Sequence, residues 1–125
     1  PNRAEAVAAA SGSADALPLD QAVAALAARL PGTALVVTCG ADGSVWSDVD
    51  ADGPGPLRRT PTLARLVDDV TGAGDSVVCG LVLALAVGLD LPGAIAVSSA
   101  VAAAAVGAPG TAAPTWDAVA DSLSR

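Results

Sequence analysis

Lysine, histidine, methionine, phenylalanine and tyrosine are absent from the sequence, and tryptophan occurs only as Trp46 and Trp116. All six cations are arginines, set against thirteen carboxylates, so the formal net charge is −7. Binding a phosphate backbone needs clustered cations, and this balance argues against a nucleic-acid partner. Without lysine there is no Walker-type phosphate loop, which ends in Gly-Lys-Ser/Thr. Cys39 and Cys79 lie far apart, with neither a C-x-x-C pair nor metal-ligand spacing. They read as free, buried thiols in a reducing compartment. No basic-then-apolar leader follows Pro1, so no signal peptide is expected and the setting read from the sequence is cytoplasmic.

Long hydrophobic runs are scarce as well. From Gly93 to Ala113 there are 21 residues without a charge, long enough to span a bilayer. The run is mostly Ala and Gly, interrupted by Ser98, Ser99 and Pro109, and is poor in the Leu, Ile and Phe that drive insertion, Ile95 being the one such residue. It reads as a buried helix followed by a loop, and no membrane partner is expected.

What is present is small and apolar. The hydrophobic fraction is 53%, much of it alanine, which suits closely packed helices; 125 residues fit one domain with a real core. Leu19 to Leu30 carries apolar residues at helical spacing and stops at Pro31-Gly32. Thr33 to Thr38 (TALVVT) is a short β-branched run, a buried strand, and Ser44 to Ser47 alternates after the turn signal Ala41-Asp42-Gly43, a hairpin partner. Asp48 to Pro61, rich in Asp, Gly and Pro, reads as an exposed loop containing solvated Arg58 and Arg59. Its D-x-D-x-D-G start suggests calcium, but Arg59 stands where the bidentate Glu is required. Leu63 to Val67 reads as a further strand, followed by helices over Asp75 to Val87, from Pro92 to about Val106, and over Thr115 to Leu123. Trp46 and Trp116 read as packing residues. Two apolar strands with helices between and after them imply a parallel sheet covered by helices, an α/β layered domain.

Between the last strand and the next helix stands Thr71-Gly72-Ala73-Gly74-Asp75. The first amides of a helix have no intrahelical partner and the helix dipole is positive there. Glycines let a backbone approach an anion closely, and a carboxylate at the same place can take a proton from an attacking hydroxyl. A dinucleotide fingerprint would need a third small residue where Val77 stands, and a nucleophile elbow needs serine where Ala73 stands. Two readings stay open on these residues alone: an anion hole with a base beside it, or a helix start that Asp75 merely caps.

Asp69 to Asp75 (DVTGAGD) resembles the D-[T/S]-[T/S]-G-A-G-D signature of the ribokinase-like (PfkB) sugar kinases. Three further elements agree in order: Pro1-Asn2-Arg3-Ala4-Glu5 with the family's P-N-x-x-E, Thr38 to Gly43 (TCGADG) with its T-x-G-x-x-G, and Ser99 to Gly110 with its Ala-rich helix and Pro-Gly loop. Asn2 and Glu5 are the only Asn and the only Glu in the chain. The resemblance covers essentially the whole chain but only the C-terminal, nucleotide-binding half of the longer family members. It implies a ribokinase-like α/β fold, a layered parallel sheet flanked by helices, as a partial domain over residues 1–125.

The same resemblance implies an ATP-dependent phosphotransferase acting on a hydroxyl of a sugar or sugar phosphate, similar to its phosphofructokinase and heptose-phosphate kinase branches. Asp75 would be the catalytic base, and the amides of Gly72, Ala73 and Gly74 the anion hole for the transferred phosphoryl group. Asn2 and Glu5 would organise Mg²⁺ and its waters. Thr38 and Gly40 would lie along the nucleotide, Gly43 would permit the hairpin turn, and Ser99, Gly107 and Gly110 would border the adenine. Asp69 and Thr71 would contribute to the monovalent-cation (K⁺) site that several members carry. Val70 departs from the family's hydroxyl residue, and Ser99 stands where many members have Asn. The alternatives are a nucleoside kinase, or a non-catalytic nucleotide-binding module derived from a truncated kinase. A half domain also exposes apolar surface, so homo-oligomers are expected.

Overall fold

Asn2 and Glu5 stand three apart immediately before an alanine-rich run, the spacing of a reciprocal helix cap. That cap starts the first helix in the computed structural model, which describes residues 1–14, 16–50, 52–64, 72–107 and 113–124. The chain divides into two compact units, Pro1–Pro61 and Thr62–Arg125.

In the first unit, helices α1 (Arg3–Ser11) and α2 (Leu19–Arg29) pack on a three-stranded sheet of β1 (Leu35–Thr38), β2 (Ser44–Asp50) and β3 (Gly53–Thr60). The core is small: Ala6, Val23, Leu35, Val37 and Val45, with Leu19, Leu26 and Cys39 partly buried against it. β1, β2 and β3 form an antiparallel meander in that order. Parallel pairing, expected for the sheet as a whole, occurs among the described residues as the bridge between Asn2 and Thr38, where the Thr38 amide donates to the Pro1 carbonyl at 3.0 Å. The α/β character is as expected; the antiparallel hairpins lie beside that bridge.

The helix over 19–30 and the β1–β2 hairpin lie where the sequence put them. The segment from Asp48 to Pro61 does not: β2 continues to Asp50 and β3 follows. Pro54 and Pro56 are loop signals in the sequence, yet a proline costs no ladder bond on an edge strand, and among the described residues β3 pairs only with β2. Two interactions secure the strand. The Ser47 hydroxyl donates to the Gly55 carbonyl at 2.8 Å, and the indole N–H of buried Trp46 donates to Thr60 Oγ1 at 3.0 Å. Arg58 and Arg59 are therefore engaged, not merely solvated: the Arg58 guanidinium stacks 5.3 Å from the Trp46 ring centroid, and Arg59 pairs with Asp20 of α2.

The second unit is helical as described: α3 (Ala73–Ala86), α4 (Leu91–Val106) and α5 (Trp116–Leu123). Asp90 caps α4, its carboxylate accepting from the Gly93 amide at 2.9 Å, and Thr115 caps α5. The expected strand over Leu63 to Val67 falls largely outside the described residues, and Leu63 and Ala64 lie in no strand. No helix among the described residues is long and apolar enough to cross a membrane. The uncharged run is α4, with Ala94, Ile95, Ser98, Ala100 and Val106 buried. Two expectations fail at the surface. Trp116 is 72% exposed, because it is the first residue of α5, and Cys79 is exposed on α3, whose outer face also shows Val78, Val82 and Leu85.

α3 and α4 touch through glycine. A Cβ at Gly80 would stand 2.9 Å from the Ser98 Cα and 3.1 Å from the Val101 Cβ, so only hydrogen fits where the two helix backbones approach. Gly80→Val should therefore destabilise the protein by about 1–3 kcal/mol through overpacking, read as a lowered denaturant midpoint at unchanged slope. Gly74→Ala is the control. A Cβ at Gly74 meets nothing within 4 Å, so stability should stay level or rise slightly.

Candidate functional site

Gly72 has φ +80°, ψ 1°, the left-handed conformation that glycine enters without the Cβ penalty, and it serves as N-cap of α3. No side chain caps this helix. The first hydrogen bond of the helix runs from the Ser76 amide to the Gly72 carbonyl at 2.9 Å. The amides of Ala73, Gly74 and Asp75 precede it, in the stretch where a helix leaves its donors without intrahelical acceptors. Asp75 is the third residue of the helix, two positions further in than expected, and its side chain is exposed. As a first-turn carboxylate it sits at the positive end of the helix dipole. Since Gly72 is the cap and the Asp75 side chain makes no cap hydrogen bond, the capping role weighed for Asp75 is not what it does. Asp69 and Thr71 lie outside the described residues.

The other end of this unit holds Ser99, half-buried on α4, and Gly107, which closes that helix with its amide donating to the Ala103 carbonyl at 3.2 Å. Eight residues of helix separate them, about 12 Å of axis. Gly110 lies outside the described residues.

In the first unit the structure brings Asn2, Thr38 and Gly40 together around an open cavity of about 360 Å³, also lined by Arg3 and Cys39. Thr38 ends β1, and a single 3₁₀ turn, Gly40–Asp42, reverses the chain into β2. Gly40 has φ +58°, and Gly43 combines φ 83° with ψ −123°, a backbone region essentially restricted to glycine. The Cys39 amide donates to the Gly43 carbonyl at 2.7 Å, closing the turn. Gly43 thus sits in the turn between β1 and β2.

Asn2 and Glu5 have a further role that the kinase motif obscured. The Asn2 side-chain oxygen accepts from the Glu5 amide at 2.9 Å, and Glu5 Oε2 accepts from the Asn2 amide at 2.9 Å, a complete capping box for α1. The N-x-x-E spacing itself carried this signal, and with it the missed helix. Among the described residues no group of three or more His, Cys, Asp or Glu could hold a metal. Oxygen donors few in number suit Mg²⁺, which keeps several waters and is held through one or two carboxylates together with substrate phosphates.

Arg3 also lines this cavity, a residue that the sequence reading passed over. Its guanidinium pairs with Asp42 Oδ2 at 2.6 Å. Hydrogen bonding to Asp42 and to Cys39 holds its pKa above the ordinary arginine value.

The profile described as pfkB family carbohydrate kinase matches residues 1–118. The chain belongs to the pfkB family of carbohydrate kinases. The "Bifunctional protein HldE" of Pseudomonas fluorescens (strain SBW25) is 42% identical over 114 residues, which is 90% of this chain and 23% of that protein. Ribokinase of Arabidopsis thaliana, solved complexed with ribose and ATP, matches with a TM-score of 0.80 at 23% identity, covering 100% of this chain and 40% of the other. The nucleoside kinase of Methanocaldococcus jannaschii, described as an archaeal member of the ribokinase family, matches with a TM-score of 0.68 at 32% identity, over 98% of this chain and 38% of the other. The ribokinase-like fold is thereby shown. The chain spans about a quarter of the length of that curated relative and well under half of the two solved structures.

The capping box has a measurable consequence. Asn2→Ala removes the side-chain acceptor for the Glu5 amide and should cost about 1 kcal/mol of stability in urea unfolding, whereas Asn2→Asp should cost much less.

Proposed function

We propose that the chain is the C-terminal, nucleotide-binding half of an ATP-dependent kinase that phosphorylates a hydroxyl of a sugar or sugar phosphate in the cytoplasm. The observation that carries this reading is the start of α3: a left-handed glycine cap, no side chain claiming the first amides, and an exposed carboxylate in the first turn. Membership of a carbohydrate kinase family supports the reaction class. Incompleteness is supported by the share of its relatives that the chain spans, and by the apolar face of α3, where Val78 is 60% and Val82 57% exposed.

In this mechanism Asp75 takes the proton from the acceptor hydroxyl as its oxygen bonds to the γ-phosphorus. The bond from that phosphorus to the β–γ bridging oxygen breaks, and ADP leaves with the electron pair. The Gly72, Ala73 and Gly74 amides donate to the phosphoryl oxygens, where negative charge gathers in the transition state. By the family resemblance, Thr38 and Gly40 are assigned to the nucleotide, and Ser99, Gly107 and Gly110 to its base. Mg²⁺, when bound, neutralises phosphate charge; Asn2 and Glu5 would hold its waters while continuing to cap α1. Asp69 and Thr71 would serve a K⁺ site. A nucleoside acceptor is the second reading, supported by the 32% identity to the archaeal nucleoside kinase over 98% of this chain.

Asp75→Asn keeps size and a hydrogen-bonding oxygen but loses basicity. In a polypeptide that includes the acceptor-binding half, it should lower turnover by about 10²–10⁴-fold and leave ATP affinity within a few-fold. Wild-type turnover in that variant, followed by coupled ADP release, would remove Asp75 from the chemistry.

A further inference from the structure

Arginine at the first position of a helix opposes the helix dipole, which favours anions there. Arg3 occupies that position in α1, and among the residues lining the 360 Å³ cavity it is the only charged one. We propose that Arg3 is the polyphosphate-recognising side chain of this cavity, and that Asp42 is its resting partner, released when a nucleotide enters. The inference rests on the nucleotide reading above and adds a residue that the family's P-N-x-x-E pattern leaves unspecified.

Three observations carry it. The Arg3–Asp42 pair is open to solvent, its side chains 51% and 70% exposed, so exchanging the carboxylate for another anion costs little. The cavity wall does not depend on the pair. The Asp42 amide donates to the Cys39 carbonyl at 3.1 Å, the Gly43 amide to the Gly40 carbonyl at 3.0 Å, and the Thr38 amide to the Pro1 carbonyl at 3.0 Å, while the Asn2–Glu5 box caps α1, so neither the turn nor the entry to α1 relies on Arg3 or on the Asp42 carboxylate. Finally, a chain with net charge −7 repels a polyphosphate at long range, so binding in this cavity needs a local cation. A guanidinium offers a planar set of donors matched to phosphate oxygens, and the α1 dipole points its positive end the same way.

The test is calorimetry on the whole chain with three ligands, ATP, inorganic tripolyphosphate and adenosine, across a salt series. Arg3→Gln should weaken ATP and tripolyphosphate by about tenfold, flatten their salt dependence, and leave adenosine unchanged. Asp42→Asn should tighten both anions by up to about fivefold, since the competing carboxylate is gone. Circular dichroism confirms that each variant is folded. If Arg3→Gln binds both anions like wild type, or Asp42→Asn weakens them as much as Arg3→Gln does, the inference is overturned while the nucleotide reading stands. If wild type binds tripolyphosphate through Arg3 but not ATP, the nucleotide reading fails and the anion site remains. If wild type binds neither anion, both are overturned.

Discussion

Backbone amides can serve a phosphate only if nothing else in the protein claims them and the chain leaves room for the anion. That constraint shapes both ends of this molecule. At Gly72 the left-handed turn lets the chain enter α3 without a side-chain cap, so the donors of Ala73, Gly74 and Asp75 lie ahead of the first helical hydrogen bond. At Gly40 the same backbone region turns β1 into a 3₁₀ turn whose own amides are largely used in closing it. The first arrangement leaves its donors without a side-chain cap, and the second uses its donors to hold the turn in place. The contrast with α1, α4 and α5 is instructive. Asn2, Asp90 and Thr115 supply ordinary side-chain caps to those helices, and α3 alone among the four begins on a glycine.

The turns of the chain and its family were largely legible because they sit in short, local patterns. Gly-Ala-Gly-Asp specifies a turn and a first-turn carboxylate whatever surrounds it, and the T-x-G-x-x-G stretch specifies a hairpin turn through Gly43. Three things were less legible. Asn2 and Glu5 match the family's P-N-x-x-E pattern and form a capping box at once, and a pattern with two meanings yields only the one being sought. Pro54 and Pro56 look like loop residues until it is known that β3 lies at the edge of the three-stranded sheet. Gly80 gave no local signal, because its reason is the Ser98 backbone 18 positions later, 2.9 Å from where a Cβ would stand. The surface positions of Trp116 and Cys79 likewise depend on where helices end and which face is covered, not on residue type.

Stability and function compete at different places in this chain. The α3–α4 contact draws on small residues, with Gly80 allowing the closest backbone approach, and the cap of α1 draws on Asn2 and Glu5. The proposed transfer chemistry instead uses positions that contribute little to packing: exposed Gly72, Gly74 and Asp75. Substitutions at the two kinds of position should therefore separate cleanly into losses of stability and losses of phosphate handling.

On the reading proposed above, the uncapped amides at the start of α3 receive phosphate. The most direct test of that reading is a ¹H–¹⁵N correlation spectrum of the chain titrated with ATP in the presence of Mg²⁺. The amide resonances of Gly72, Ala73 and Gly74 should shift downfield together with one saturation curve, as expected for donors that gain a charged acceptor. Resonances that stay in place at those three residues while the protein demonstrably binds ATP elsewhere would contradict it.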